Sequence, residues 1–181
     1  MPRLDSRIAT DQAGSPVSPI AVLIGPPAAG KSRLGKRVAT LLGVEFVDTD
    51  KKVVAAHGPI PEIFELHGEP QFRAWERDAV TDALTTSGIV SLGGGAVVNS
   101  DTQRDLENFR VVLITATPDA IAPRLVSSNR PLLAGGIDAW TALLAQRQPI
   151  YDRLAEFTVD TSRGSMDSIA EGLAERLETA R

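Results

Sequence analysis

The stretch "PIAVLIGPPAAGKSRLG", residues 19 to 35, constrains the fold of this chain more than any other. An apolar, β-branched run ends in Gly25, the pattern G-x-x-x-x-G-K-[ST] closes on Ser32, and beyond it Leu34, Val38, Leu41 and Leu42 recur at helical spacing. A buried strand, a glycine-bounded turn and a helix in immediate succession present backbone N–H groups and a helix N-terminus to an anion. The expected nucleotide phosphate ligands are therefore Gly25, Pro26, Pro27, Ala28, Ala29 and Gly30, with Lys31 reaching the β and γ oxygens and the Ser32 hydroxyl ligating Mg²⁺. Ala28 is the open position. If the backbone there needs a positive φ, alanine costs about 1 kcal/mol. Binding is expected either way, because backbone amides supply the donors.

Four more short apolar runs follow: "VEFVD" at 44–48, "IVSL" at 89–92, "RVVLIT" at 110–115 and "FTVDT" at 157–161. Helical patterns lie between them. "IPEIFELHG" is followed by "PQFRAWERDAVTDALTTSG", with Phe72, Trp75, Ala79 and Ala83 on one face, and a short helix follows Pro118. "IDAWTALLAQRQPIYDRLA" is expected to bend or to restart at Pro149, and Met166, Ile169, Leu173 and Leu177 mark a closing helix. Alternation of this kind implies an α/β chain with a five-stranded parallel sheet and helices on both faces, since right-handed crossovers place them there. Ligands of such sheets bind at the carboxyl ends of the strands.

Composition narrows the function classes. The 181 residues suit one domain, expected over 20–181, with residues 1–19 as a loose leader that lacks the apolar core of a signal peptide. No apolar run approaches the length of a membrane span, so no membrane partner is expected. A net charge of −4 disfavours nonspecific nucleic-acid binding. Cysteine is absent, which fits a reducing compartment, and the cytoplasm is the expected location.

Three features at strand ends suggest a small anionic acceptor. Asp48 and Asp50 are one residue apart, so in extended geometry both side chains point the same way, one toward a metal-bound water and the other toward a hydroxyl. Gly93, Gly94 and Gly95 allow a ligand to approach the backbone. Arg73 and Arg147 offer forked donors that match a carboxylate. Each also has a plain structural reading: an aspartate capping the next helix, a glycine turn, a solvated arginine. His57, His67, Trp75 and Trp140 are given no chemistry, the histidines being read as helix-end residues and the tryptophans as core.

The blocks "GPPAAGKS", "FVDTD", "IFELHGEPQFRAWE", "SLGGGAV", "NRPLLAG" and "QRQPIYDRLA" occur in an order and spacing that resemble the shikimate kinases, from Ile20 to about Thr161. The resemblance implies a three-layer P-loop NTPase sandwich with a mobile lid at about 125–137. It implies transfer of the γ-phosphate of ATP to the 3-hydroxyl of shikimate, with one Mg²⁺, in a monomer. Carried over by position, Lys31 and Ser32 are the loop lysine and serine, and Asp48 is the aspartate linked to Mg²⁺ through water. Asp50 contacts the acceptor hydroxyl, and Arg73, with Glu76 as an orienting partner, Gly94 and Arg147 bind shikimate. Arg130 is the lid arginine over the phosphates, so Lys31, Asp50 and Arg130 form the catalytic set. Arg33 joins the nucleotide contacts, and Arg124 lies near the adenine-stacking arginine, with one residue fewer before Arg130 than the family spacing. A gluconate or nucleoside monophosphate kinase and an inactive nucleotide-binding scaffold are the alternatives.

Overall fold

A computed structural model describes residues 18–125 and 135–179. Residues 1–17 of the expected leader and residues 126–134 of the expected lid, Arg130 among them, lie outside the described residues. Five parallel strands, β1 (Ala21–Ile24), β2 (Phe46–Asp48), β3 (Ile89–Ser91), β4 (Val111–Thr115) and β5 (Phe157–Asp160), form one sheet in the order β2-β3-β1-β4-β5. The central strand β1 is buried on both faces, which is why it reads as an unbroken apolar run. Its neighbours are in register through Val22, opposite Val90 on one side and Val111 on the other.

Alternation along the strands builds two cores. Val22, Ile24, Val90, Val111 and Leu113 face α3 (Ile60–Ala83), α4 (Ser100–Leu106) and α6 (Gly136–Leu154), burying Val80, Leu106 and Tyr151 with them. Ala21, Leu23, Ile89, Val112 and Ile114 face α1 (Lys31–Leu42) and α7 (Met166–Thr179), through Leu34, Val38, Leu173 and Leu177. Helices on both sides of the sheet make the expected three layers. Gly35 lets α1 lie close, because a Cβ there would stand 2.6 Å from the Phe46 ring. A smaller cluster of Val53, Ile63, Phe72 and Ala79 joins α2 (Thr49–His57) to α3, outside the main layers.

The helix pattern around residue 68 is broken as the two sequence blocks imply: Gly68 has φ 78° and ψ 167°, two residues before Pro70. Three expectations change. Asp50 is not on an extended segment, because the chain turns at Asp48, whose Oδ1 accepts the Lys51 amide at 3.1 Å and caps α2; Asp50 therefore sits in the first turn of that helix. The two aspartates are thus brought to the site by different elements. α6 runs through Pro149 without restarting. The sequence reading places no helix between the glycine run and β4, yet a 3₁₀ turn (Ala96–Val98) and α4 occupy it, the latter capped by the Asn99 side chain accepting from the amides of Asp101 and Thr102.

Candidate active site

The loop between β1 and α1 is held by its carbonyls. Lys31 Nζ donates to Gly25 O at 2.8 Å and Pro26 O at 2.9 Å, Trp140 Nε1 to Pro27 O at 2.8 Å, Arg124 Nη1 to Ala28 O at 3.2 Å, and Thr161 Oγ1 to Ala29 O at 2.6 Å. Five consecutive carbonyls are therefore tied by side chains from α1, α5 (Pro118–Leu125), α6 and the end of β5. In a trans peptide the N–H points away from the C=O, so fixing the carbonyls orients the amides that follow them. Pro26 and Pro27 carry no N–H, which makes Ala28 the first residue after Gly25 able to donate.

Two loop positions are set by their backbone. Gly25 has φ 140°, and a Cβ there would overlap the Ile114 carbonyl at the end of β4. Ala28 has φ 62° and is the only non-glycine residue with positive φ among the described residues. The open question of the sequence is thereby answered: alanine does adopt the left-handed conformation, at a cost of about 1 kcal/mol. Its methyl packs against a cluster of Ala116, Ile121 and Trp140, and that contact offsets part of the cost. Ser32 and Arg33 are exposed on the first turn of α1.

The acceptor side is assembled around the glycine turn after β3. Thr49 Oγ1 accepts the Gly93 amide at 2.9 Å, joining the start of α2 to the turn. A Cβ on Gly93 would overlap Asp50 Oδ1 and approach Glu76 Oε1 to 2.9 Å, and one on Gly95 would overlap Arg73 Nη1. The side chains of Asp50, Glu76 and Arg73 thus close on the backbone here, and a Cβ would displace their polar ends. On the other flank, Gly94 O accepts Arg147 Nη1 at 2.7 Å and Tyr151 Oη at 3.2 Å, both from α6. Burial pushes the Tyr151 phenol up to about 12, and Arg147 opposes that shift. Gly94 also lies against the Pro27 ring, where a Cβ would meet Cδ at 3.1 Å, so the turn abuts the phosphate loop.

Arg73 is anchored by Glu76, through Nη1 to Oε2 at 2.7 Å, and by Glu69 at 3.1 Å, one turn away on either side. Burial raises the Glu76 carboxyl above its ordinary range, and Arg73 opposes that shift. A raised carboxyl contributes stability that is complete below its unfolded-state value and lost as pH rises through the folded-state value. Arg73→Met removes the opposing cation and lifts Glu76 further. The variant is expected to lose about 2 kcal/mol at neutral pH, or about 4–8 °C in Tm, with a deficit that shrinks on acidification. Thermal melts of both proteins from pH 7.5 down to pH 5 check this, and a deficit independent of pH would contradict it.

Each expected residue inside the described range falls at the carboxyl end of the sheet or on a helix facing it. Trp140, Tyr151, Thr49 and Thr161 were not assigned to the site from sequence, because each acts on a remote backbone atom and none belongs to a local pattern. His57 stacks on Trp75 at 3.7 Å and 5°, a structural contact at the end of α2, as the helix-end reading implied.

With this geometry in view, comparisons with known proteins are specific. The chain is 43% identical over 166 residues to the shikimate kinase of Thermobifida fusca, covering 90% of this chain and 96% of that one. It is 40% identical over 167 residues to the shikimate kinase of Rhodococcus erythropolis, covering 90% and 99%. Among solved structures, the shikimate kinase of Acinetobacter baumannii in complex with shikimate superposes with a TM-score of 0.84 at 29% identity, covering 91% of this chain and 95% of that chain. The family model for shikimate kinase matches residues 27–178, from inside the phosphate loop to the last helix. The stretch so matched contains the carbonyl-tied loop from Pro27 onward and the glycine turn with its two arginines, and the chain belongs to the shikimate kinase family.

Proposed function

We propose that this chain binds ATP on the loop Gly25–Ser32 and shikimate between α2, α3, α6 and the turn at Gly93–Gly95, and transfers the γ-phosphate to the 3-hydroxyl. The observation that carries the acceptor half is Arg147: it is 7% exposed, its Nη1 is spent on Gly94 O, and its Nε has no hydrogen-bond partner. A guanidinium held at the glycine turn by its bond to Gly94 O suits a bound carboxylate. Arg73, already oriented by Glu76 and Glu69, supplies a second fork for that carboxylate, and Gly94 offers its N–H.

In the transfer, the bond between the γ-phosphorus and the β–γ bridging oxygen breaks while one forms to the acceptor oxygen. ADP leaves and the hydroxyl proton passes to the Asp50 carboxylate. Lys31 offsets charge on the phosphates from its seat on the loop carbonyls, and Arg130 is assigned the same role from the segment after α5 on the strength of the family resemblance. Arg124 and Arg33 are assigned to the nucleotide side. Among the described residues no group of three acidic or histidine side chains could cage a cation. The Ser32 hydroxyl and the Asp48 carboxylate are hard oxygen donors, and so sparse a set fits Mg²⁺, which keeps waters and takes phosphate oxygens. When bound, Mg²⁺ would neutralise charge between the β and γ oxygens. We place the enzyme in the cytoplasm as a monomer. No described helix is long and apolar enough to cross a membrane, and the exposed large apolar residues, Leu41, Val54, Leu66 and Val98, are spread over four elements.

An acceptor panel tests the reading. ADP release from Mg-ATP is expected with shikimate and at background with gluconate or nucleoside monophosphates. Turnover with another acceptor, or with none of them, would refute it.

A further inference from the structure

We propose that Trp140 is a positioning residue of the phosphate loop, fixing the Pro27–Ala28 peptide plane through its indole N–H and so aiming the first amide that the loop offers beyond Gly25. The inference rests on the reading of Gly25–Ser32 as the ATP site and adds a residue that neither the loop pattern nor the family resemblance assigns.

Trp140 is fully buried in α6, and its Nε1 donates to Pro27 O at 2.8 Å. A buried indole N–H needs a partner, and this one reaches across 113 residues of sequence to take a loop carbonyl. The Pro27–Ala28 peptide is trans, so the Ala28 N–H points opposite to the carbonyl that Trp140 holds. The two preceding peptides end in proline nitrogen and have no N–H to aim. The next two carbonyls are held by Arg124 and Thr161, side chains of other elements, and neither constrains this plane. Ala28 itself sits at φ 62° with its methyl against the Trp140 cluster, so the indole supports both the plane and the left-handed residue that follows it.

The same helix face holds the other substrate's turn. Arg147 and Tyr151, seven and eleven residues further along α6, donate to Gly94 O. Those bonds do not depend on the indole, so loss of the Trp140 N–H alone should appear in ATP affinity and leave shikimate affinity in place.

The chain has two tryptophans, which permits an isosteric test. In a Trp75→Phe background, the remaining tryptophan is replaced with 3-benzothienylalanine, which exchanges the indole N–H for sulfur at nearly constant shape. Steady-state kinetics and calorimetric ATP binding are compared with the Trp75→Phe parent. KM and Kd for ATP are expected to rise about tenfold, with kcat within about threefold and KM for shikimate within about twofold. Trp140→Phe, which also opens space, should show the same loss of ATP affinity plus a lower Tm. Unchanged ATP affinity in the isostere, equal loss for both substrates, or a loss confined to Trp140→Phe would each overturn the proposal while leaving the kinase reading intact. A parent that bound no ATP would instead refute the reading of the loop, and the proposal with it.

Discussion

Asp50→Asn is expected to fold, to bind ATP and shikimate within a few-fold of the unaltered enzyme, and to lose about a thousandfold in kcat. The substitution keeps the size of the side chain and one acceptor oxygen, and it removes the proton acceptor. General-base catalysis is worth about 10²–10⁴ in rate, and a thousandfold corresponds to about 4 kcal/mol of barrier. The position leaves little room for a substitute base. Asp50 Oδ1 occupies the space that a Cβ on Gly93 would need, and Glu76, which approaches the same glycine from α3, is paired with Arg73. Steady-state kinetics with both substrates saturating check this prediction. A kcat within tenfold of the parent would mean that Asp50 only positions the acceptor, the proton leaving late without it.

Arg147→Ala carries the second largest effect, and it separates the two substrates. KM for shikimate is expected to rise about a hundredfold, with KM for ATP within about threefold, because a charge-assisted carboxylate contact is worth about 1.5–3 kcal/mol and a bidentate one more. The glycine turn should persist, since Tyr151 Oη still donates to Gly94 O. Stability should fall less than in Arg73→Met: Arg147 makes no ion pair within 4 Å among the described residues, and its charge is the smallest of the influences on the buried Glu76 carboxyl. Arg147→Lys should not restore shikimate affinity, because an ammonium cannot hold Gly94 O and a carboxylate in the same fork geometry. Equal weakening of both substrates would contradict the assignment.

The legible parts of this chain share a physical property. β1 reads as a strand because it is buried on both faces, and the phosphate loop reads as a loop because its function depends on backbone between fixed elements. Arg73 and Glu76 were recoverable as a pair because they lie one turn apart on a helix. Asp50 was placed on the wrong element. The capping role of Asp48 turns the chain into α2 before Asp50, and the same aspartate had been read both as a cap and as a metal-linked group. For α4, the signal was present in "NSD", where Asn99 precedes two residues whose amides it accepts or flanks, but the helix is only seven residues long and carries little periodicity. Trp140, Thr161 and Tyr151 were not legible at all. Each donates to a carbonyl 57 to 132 residues away, and no local spacing encodes which carbonyl a buried donor will meet once the sheet has brought the loops together.

The carbonyl-tied loop and the arginine-flanked glycine turn are proposed to act on one pair of substrates. Phosphorus NMR of a reaction containing the enzyme, Mg-ATP and shikimate tests it most directly. Loss of the γ resonance should be matched by ADP and by a single phosphomonoester coupled to the proton on C3 of shikimate. Inorganic phosphate in place of that ester, a phosphate on another hydroxyl, or no loss of ATP would contradict the account.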